Sequence, residues 1–176
     1  MDKLIAQPLQ LEEIANYYND SEASLRLYFS DKNPSFENRF LDYSVEELSA
    51  ELNSRFDELE RSTSLSLLAA LEAMFRIDYK ERVKKRKKDR LSKALRELFK
   101  SKELKASLED DIFNVWLENT SVKPQLIEDL KGAFKYRHWL AHGRYWTPKM
   151  GKPNYDYFGL YQLAENILNS FPFEGI

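Results

Sequence analysis

One long helix dominates what this sequence can form. Ser44 and Glu47 have the spacing of a capping box, in which each side chain bonds the backbone N–H of the other at a helix N-terminus. From there the apolar spacing predicts a helix that runs toward Tyr79. Between residues 64 and 75 every side chain except Glu72 is apolar or small. A helix that is apolar on nearly all sides lies inside a core or an interface.

Shorter periodic segments predict the other helices. We expect a short helix over residues 9–18, a second over 21–29, one capped by Ser107, one that begins at Pro124 and a last one over 158–171. With five glycines and these long periodic segments, the sequence predicts one all-α domain that spans residues 1–176.

Composition narrows the class of protein. The 176 residues are 43% hydrophobic and 32% charged, a globular profile with enough length for a core. No apolar run approaches the ~20 residues of a membrane span, and the first residues lack the apolar stretch of a signal peptide. There is no cysteine, which excludes disulfides and thiol chemistry. We therefore expect a cytoplasmic protein with no membrane partner and no cofactor.

Both histidines of the chain lie in one segment. His138 and His142 are four residues apart, and Gly143 suits the position just past a helix end. They are the side chains that titrate near neutrality without help. Two such histidines can also simply favour the negative end of a helix dipole, or supply half of a metal site. Because zinc sites use three or four ligands and no third ligand is evident, we expect no metal.

Arg137 is the unusual residue of this helix. At about 100° per residue it falls within about 20° of Leu130, on the apolar face. It needs a partner, a ligand or a second subunit, or it covers apolar surface with its stem while its charge reaches water. Glu72, the charged residue of the apolar stretch, also has more than one possible partner. It can pair with Arg76 four residues on, or it can lie behind Arg137 or a histidine and orient that side chain.

Arg137 and His142, with four residues between them at the end of a helix in a small all-helical chain, resemble the Arg-x(4–6)-His motif of the HEPN superfamily. The resemblance implies a HEPN-like helical bundle with a long central helix. It also implies a metal-independent endoribonuclease whose site forms where two protomers bring their motifs to one cleft. Where the family commonly has a polar residue after the arginine, this chain has His138. Where many toxins of the family have His-x-Tyr, the tyrosine comes one residue later, as Tyr145.

The residue types suit this chemistry. Cleavage by the ribose 2′-OH needs a base, an acid and positive charge on the phosphate. Histidine suits proton transfer, and arginine grips two phosphate oxygens in a fork. We therefore assign His142 to proton transfer, Arg137 to phosphate binding, His138 to orientation or the second proton, and Glu72 to orientation. In an unbroken helix Arg137 and His142 point about 140° apart. They converge on one phosphate if the helix loosens near Gly143, or if the two come from different subunits.

Two further stretches suit RNA. Residues 80–105 hold thirteen Lys and Arg against four Asp and Glu, a local charge of +9 that leaves −11 for the remainder of a chain with formal net charge −2. This excess of positive charge can form a surface that binds RNA phosphates. The alternatives are a solvated helix face and a flexible basic loop. After Gly143, cations alternate with aromatics, as in loops that bind single-stranded RNA, although the aromatics can also pin such a loop down. The expected RNA contacts are Lys84, Lys85, Arg86, Lys87, Lys88, Arg144, Tyr145, Trp146, Lys149 and Lys152.

These patterns predict a homodimeric endoribonuclease that binds RNA. By resemblance, its setting is that of a toxin or phage-defence effector, with an antitoxin protein as a further partner. The alternative is a HEPN-like module that binds RNA or a protein and cleaves nothing. A purely structural helical interaction module is the third reading, and it predicts no RNA affinity.

Overall fold

A computed structural model describes residues 8–150 and 155–175, and the regular structure in these ranges is entirely helical. The all-α prediction is therefore confirmed. The α-helices of the described residues are α1 (Leu11–Tyr28), α2 (Phe36–Phe40), α3 (Val45–Lys85), α4 (Arg90–Lys102), α5 (Phe113–Asn119), α6 (Pro124–Ala141) and α7 (Tyr157–Ser170). A 3₁₀ turn (Glu103–Lys105) and a π-helical turn (Leu108–Ile112) connect α4 to α5.

Helix α3 is the centre of the bundle. The predicted capping box is present: Ser44 Oγ accepts from the Glu47 N–H at 3.1 Å, and the Glu47 carboxylate accepts from the Ser44 N–H at 2.8 Å. The helix has 41 residues, so it is about 60 Å long. Its middle is completely buried at Leu67, Leu68, Leu71 and Phe75, and α1, α4, α6 and α7 pack around it.

The N-terminal prediction is wrong in one respect. Residues 9–18 and 21–29 do not form two helices, because α1 runs unbroken from Leu11 to Tyr28. The polar residues between the two predicted helices form a solvent-facing turn of α1, where Ser24 Oγ donates to the Asp20 carbonyl at 2.7 Å and Arg26 pairs with Glu22 at 2.6 Å. Leu11, Ile14 and Tyr18 are the buried residues of α1.

The later helices follow the sequence closely. Ser107 Oγ accepts from the Asp110 N–H, which confirms the predicted cap, although the turn it caps is π-helical and leads into α5. Trp116 of α5 is fully buried. Helix α7 starts and ends one residue before the predicted limits, with Asp156 as its N-cap.

A buried ion pair fastens the C-terminal segment to α3. Arg82 Nε donates to both oxygens of Asp78, at 2.8 and 3.0 Å, and its Nη2 donates to the Pro172 carbonyl. Asp78 also accepts from the Glu174 N–H at 2.8 Å. Burial raises the pKa of Asp78 to about 6, although Arg82 and the Glu174 amide favour its ionised form. Arg82 lies on α3 beyond Tyr79, and the pair joins this part of α3 to the chain after α7.

Candidate active site

Helix α6 stays regular as far as His142, and the chain turns only after it. Pro124 occupies its first turn and Ala141 is its last residue. The His142 N–H still donates to the His138 carbonyl at 3.1 Å, but Gly143 and Arg144 have φ of 78° and 58°, in the left-handed region. The chain therefore turns away from the helix axis directly after His142, as predicted for Gly143.

Arg137 reaches the middle of α3. Its Nη2 lies 3.0 Å from Glu72 Oε2, and 34% of its side chain is exposed. Its buried Nε has no hydrogen-bond partner among the described residues. One end of the guanidinium is thus held by the protein, while about a third of the side chain is open to solvent.

Glu72 serves two arginines. Its Oε1 accepts from Arg76 Nε at 3.3 Å while its Oε2 pairs with Arg137. Arg76 in turn donates to the Ala106 carbonyl at 2.8 Å. The sequence offered these two positions for Glu72 as alternatives, and the structure has both contacts at once.

The two histidines lie side by side on the surface. The ring centroids of His138 and His142 are 4.2 Å apart, and both side chains are exposed. Among the described residues no hydrogen bond orients either ring, and none joins Arg137 to His142 within the protomer. No group of three or more His, Asp or Glu side chains in the described ranges is placed to hold a metal ion.

The loop after α6 is partly pinned and partly free. Arg144 donates to both oxygens of Glu58, at 2.6 and 3.2 Å, so its guanidinium is engaged within the protein. The Trp146 carbonyl accepts from Trp139 Nε1–H at 2.7 Å. The ring centroid of Trp146 lies 5.9 Å from that of His138. Tyr145 is 84% exposed. Lys149 lines a groove next to His138, and the predicted contact Lys152 lies outside the described residues.

The basic segment lies apart from the motif. Lys84 and Lys85 end α3, and Lys85 is thirteen residues beyond Glu72, about 20 Å along the helix. Arg86 caps the helix with φ of 50°, and Lys85 and Lys87 pair with Glu174. Lys84 to Lys88 are exposed. A single strand could contact both places only by extending along α3.

The structure adds two residues that the sequence did not single out. Lys135 lies one turn before His138 on the same face of α6, and Glu109 faces both from the π-helical turn. Burial, and next Asp110, raise the pKa of Glu109, while Lys135 and His138 lower it. The spacing of 135, 138 and 142 on one helix face is a signal in the sequence, whereas nothing in the sequence points to Glu109.

Comparisons of the chain with family models, curated proteins and solved structures give no match. The function must therefore be argued from the residues of this site.

No helix in the described part of the chain has the length and apolarity needed to cross a bilayer.

Proposed function

We propose that this chain is a metal-independent endoribonuclease of the HEPN type, which acts as a homodimer and cleaves RNA by attack of the ribose 2′-OH. The observation that carries the proposal is the arrangement at the end of α6. There a half-exposed Arg137, held by Glu72, precedes two adjacent exposed histidines. This supplies fixed positive charge and two proton-transfer groups at one surface, which is what such cleavage needs.

The chemical step uses these three residues. His142 takes the proton of the 2′-OH, and the 2′-oxygen forms a bond to phosphorus. The bond from phosphorus to the 5′-oxygen breaks, and that oxygen receives a proton from His138. Arg137 binds the phosphate oxygens as negative charge grows on them. The products are a 2′,3′-cyclic phosphate and a 5′-hydroxyl.

A second protomer completes this arrangement. Within one protomer no described contact joins Arg137 to His142, and the two side chains diverge around α6. Two copies that face each other across a two-fold axis would place Arg137 of one beside His142 of the other. By resemblance, the setting is that of a toxin or phage-defence effector with an antitoxin partner.

The test is cleavage of a mixed RNA pool in excess EDTA by the wild type, His142→Ala and Arg137→Ala. We expect each substitution to lower the rate by roughly 10²-fold or more, with 2′,3′-cyclic ends in the wild-type products. Arg55→Ala is the matched control, because Arg55 is exposed on α3 and Glu51 is its one ion-pair partner among the described residues. Cleavage that survives both motif substitutions would place the site elsewhere.

One observation favours the alternative of a non-catalytic module that binds RNA or a protein. In the described residues no hydrogen bond orients His138 or His142, and catalytic histidines usually have such a partner. The same assay separates the two functions. A folded, dimeric wild type that binds RNA but leaves the pool intact would support the module.

A further inference from the structure

A groove runs along α6 beside the two histidines. Its volume is about 260 Å³, and its walls include Glu109, Lys135, His138, Trp146 and Lys149. The loop after α6 forms one wall and the π-helical turn the other. Because the rings of Trp146, His138 and His142 follow one another at 5.9 and 4.2 Å, the groove leads directly to the motif.

Contacts outside the groove hold its walls in place. Trp139 donates to the Trp146 carbonyl at 2.7 Å, which fixes the backbone of the loop against α6. Tyr155, at the other end of the loop, stacks on Tyr136 at 5.4 Å and covers Gly132, where a side chain would collide with the tyrosine hydroxyl. These contacts hold the described ends of the loop against α6.

The charged side chains of the groove make no hydrogen bond or ion pair within the described residues. Neither Lys135 nor Lys149 makes an ion pair there, although many other lysines of the chain do. Glu109 is half-buried, and no described residue donates a hydrogen bond to it. A partly desolvated carboxylate without a donor is costly unless a ligand supplies one.

We propose that this groove binds a guanine base of single-stranded RNA next to the scissile phosphate. The base stacks on Trp146, the Glu109 carboxylate accepts from its N1–H and N2–H groups, and Lys135 and Lys149 contact the neighbouring phosphates. This inference rests on the proposed function for the identity of the substrate. Stacking on an aromatic ring and reading of the Watson–Crick edge are the usual ways in which proteins recognise single-stranded RNA.

The carboxylate selects guanine among the four bases. A carboxylate offers two acceptor oxygens and no donor. Guanine presents two adjacent N–H donors on its Watson–Crick edge, which match both oxygens. Adenine and cytosine present an amino group beside an acceptor nitrogen, and uracil presents one N–H between two carbonyls, so each places a lone pair against the carboxylate.

The experiment measures binding in the His142→Ala variant, so that cleavage does not interfere. Fluorescein-labelled pentanucleotides UUGUU and UUUUU are compared by anisotropy, with free GMP as a competitor. We expect the guanine-containing strand to bind about tenfold more tightly or better. Added Glu109→Gln or Glu109→Ala removes this preference, and added Trp146→Ala weakens both strands. Glu118→Gln, at an exposed acid of α5, is the matched control and keeps the preference.

Each outcome has a distinct meaning. Equal binding of the two strands, a preference that survives both Glu109 substitutions, or GMP that binds as tightly as UUGUU overturns the RNA guanine subsite. A preference that depends on Glu109 in a protein whose wild type cleaves nothing overturns the proposed catalysis and keeps the subsite. Wild-type cleavage with no guanine beside the cut overturns the subsite and keeps the catalysis. Helical circular dichroism and the melting temperature confirm that each variant is folded.

Discussion

Glu72 Oε2 lies 3.0 Å from Arg137 Nη2, so the central helix α3 holds the guanidinium of the motif helix α6. The other carboxylate oxygen lies 3.3 Å from Arg76 Nε, and Arg76 donates to the Ala106 carbonyl. The position of Arg137 thus depends on a chain of polar contacts that ends at the backbone just before the π-helical turn. Glu109 lies in that turn, so Arg137 and Glu109, on the two sides of the candidate site, are both linked to this backbone segment.

Glu72→Gln tests this support. The neutral amide of glutamine has one acceptor oxygen in place of two and carries no charge, so it holds two guanidinium groups more weakly. Arg137 then gains freedom and meets the phosphate less often in the productive orientation. We expect kcat for an RNA oligonucleotide to fall roughly 10- to 100-fold, with a smaller change in KM. Glu51→Gln is the matched control, because Glu51 also lies on α3 and pairs with two arginines, Arg39 and Arg55, away from the motif. Equal losses for the two variants would contradict a positioning role for Glu72.

Gly143→Ala tests the geometry of the motif end. Gly143 has φ of 78°, and a Cβ there would meet no atom within 4 Å, so the whole cost is backbone strain. We expect a loss of about 1 kcal/mol in the free energy of unfolding, or a melting temperature lower by roughly 2–4 °C. Gly143→Asn should lose less, because asparagine tolerates this conformation. Calorimetry of the three proteins decides, and an alanine variant as stable as the wild type would contradict the strain.

Helices could be predicted where their signals are local. The capping box at Ser44 and the apolar stretch before Phe75 each act over a few residues, so they predict α3 directly. The same local signals predict two helices in place of α1, because the polar residues after Tyr18 interrupt the apolar spacing. In the structure that run is one solvent-facing turn of a continuous helix, with Leu11, Ile14 and Tyr18 buried before it and Leu25 packed against the core after it.

From the sequence, only those parts of the candidate site that lie on a single helix could be predicted. Residues 137, 138 and 142 share one helix end, and Glu72 stood out as the one charge in an apolar stretch. Glu109 comes from another element and is placed by tertiary packing, which no spacing reveals. For the same reason the charge count of residues 80–105 could not show that Lys87 pairs with Glu174, which is 87 residues away.

Arg82→Met tests the buried ion pair at the end of α3. The substitution keeps an unbranched apolar stem but removes the guanidinium, which lies over the Trp116 ring at 5.4 Å and pairs with Asp78. The Asp78 carboxylate is then buried without its partner. Breaking such a pair costs about 3–5 kcal/mol, so we expect the melting temperature to fall by roughly 10 °C. Arg61→Met is the control, because the ion pairs of Arg61 with described residues lie within α3 and are exposed. Equal losses of stability in the two variants would mean that the buried ion pair contributes no more to stability than a surface ion pair.

The pH dependence of stability tests the effect of burial on Asp78. Burial raises its pKa from the ordinary 3.8 to about 6 in the folded protein, so the native state binds this proton more tightly than the unfolded chain does. The contribution of this proton to stability is complete below about pH 4 and is lost as the pH rises through 6.

Urea unfolding of the wild type and Asp78→Asn at pH 4.5, 5.5 and 7 measures this contribution, because asparagine does not titrate. Relative to the variant, the wild type should lose stability with rising pH, by at most about 3 kcal/mol for a pKa that rises from 3.8 to about 6 on folding. A wild type that instead gains stability relative to Asp78→Asn over this range would mean that the bonds from Arg82 and the Glu174 amide outweigh burial. The pair would then behave as an ordinary salt bridge, and the C-terminal segment would be held most firmly at neutral pH.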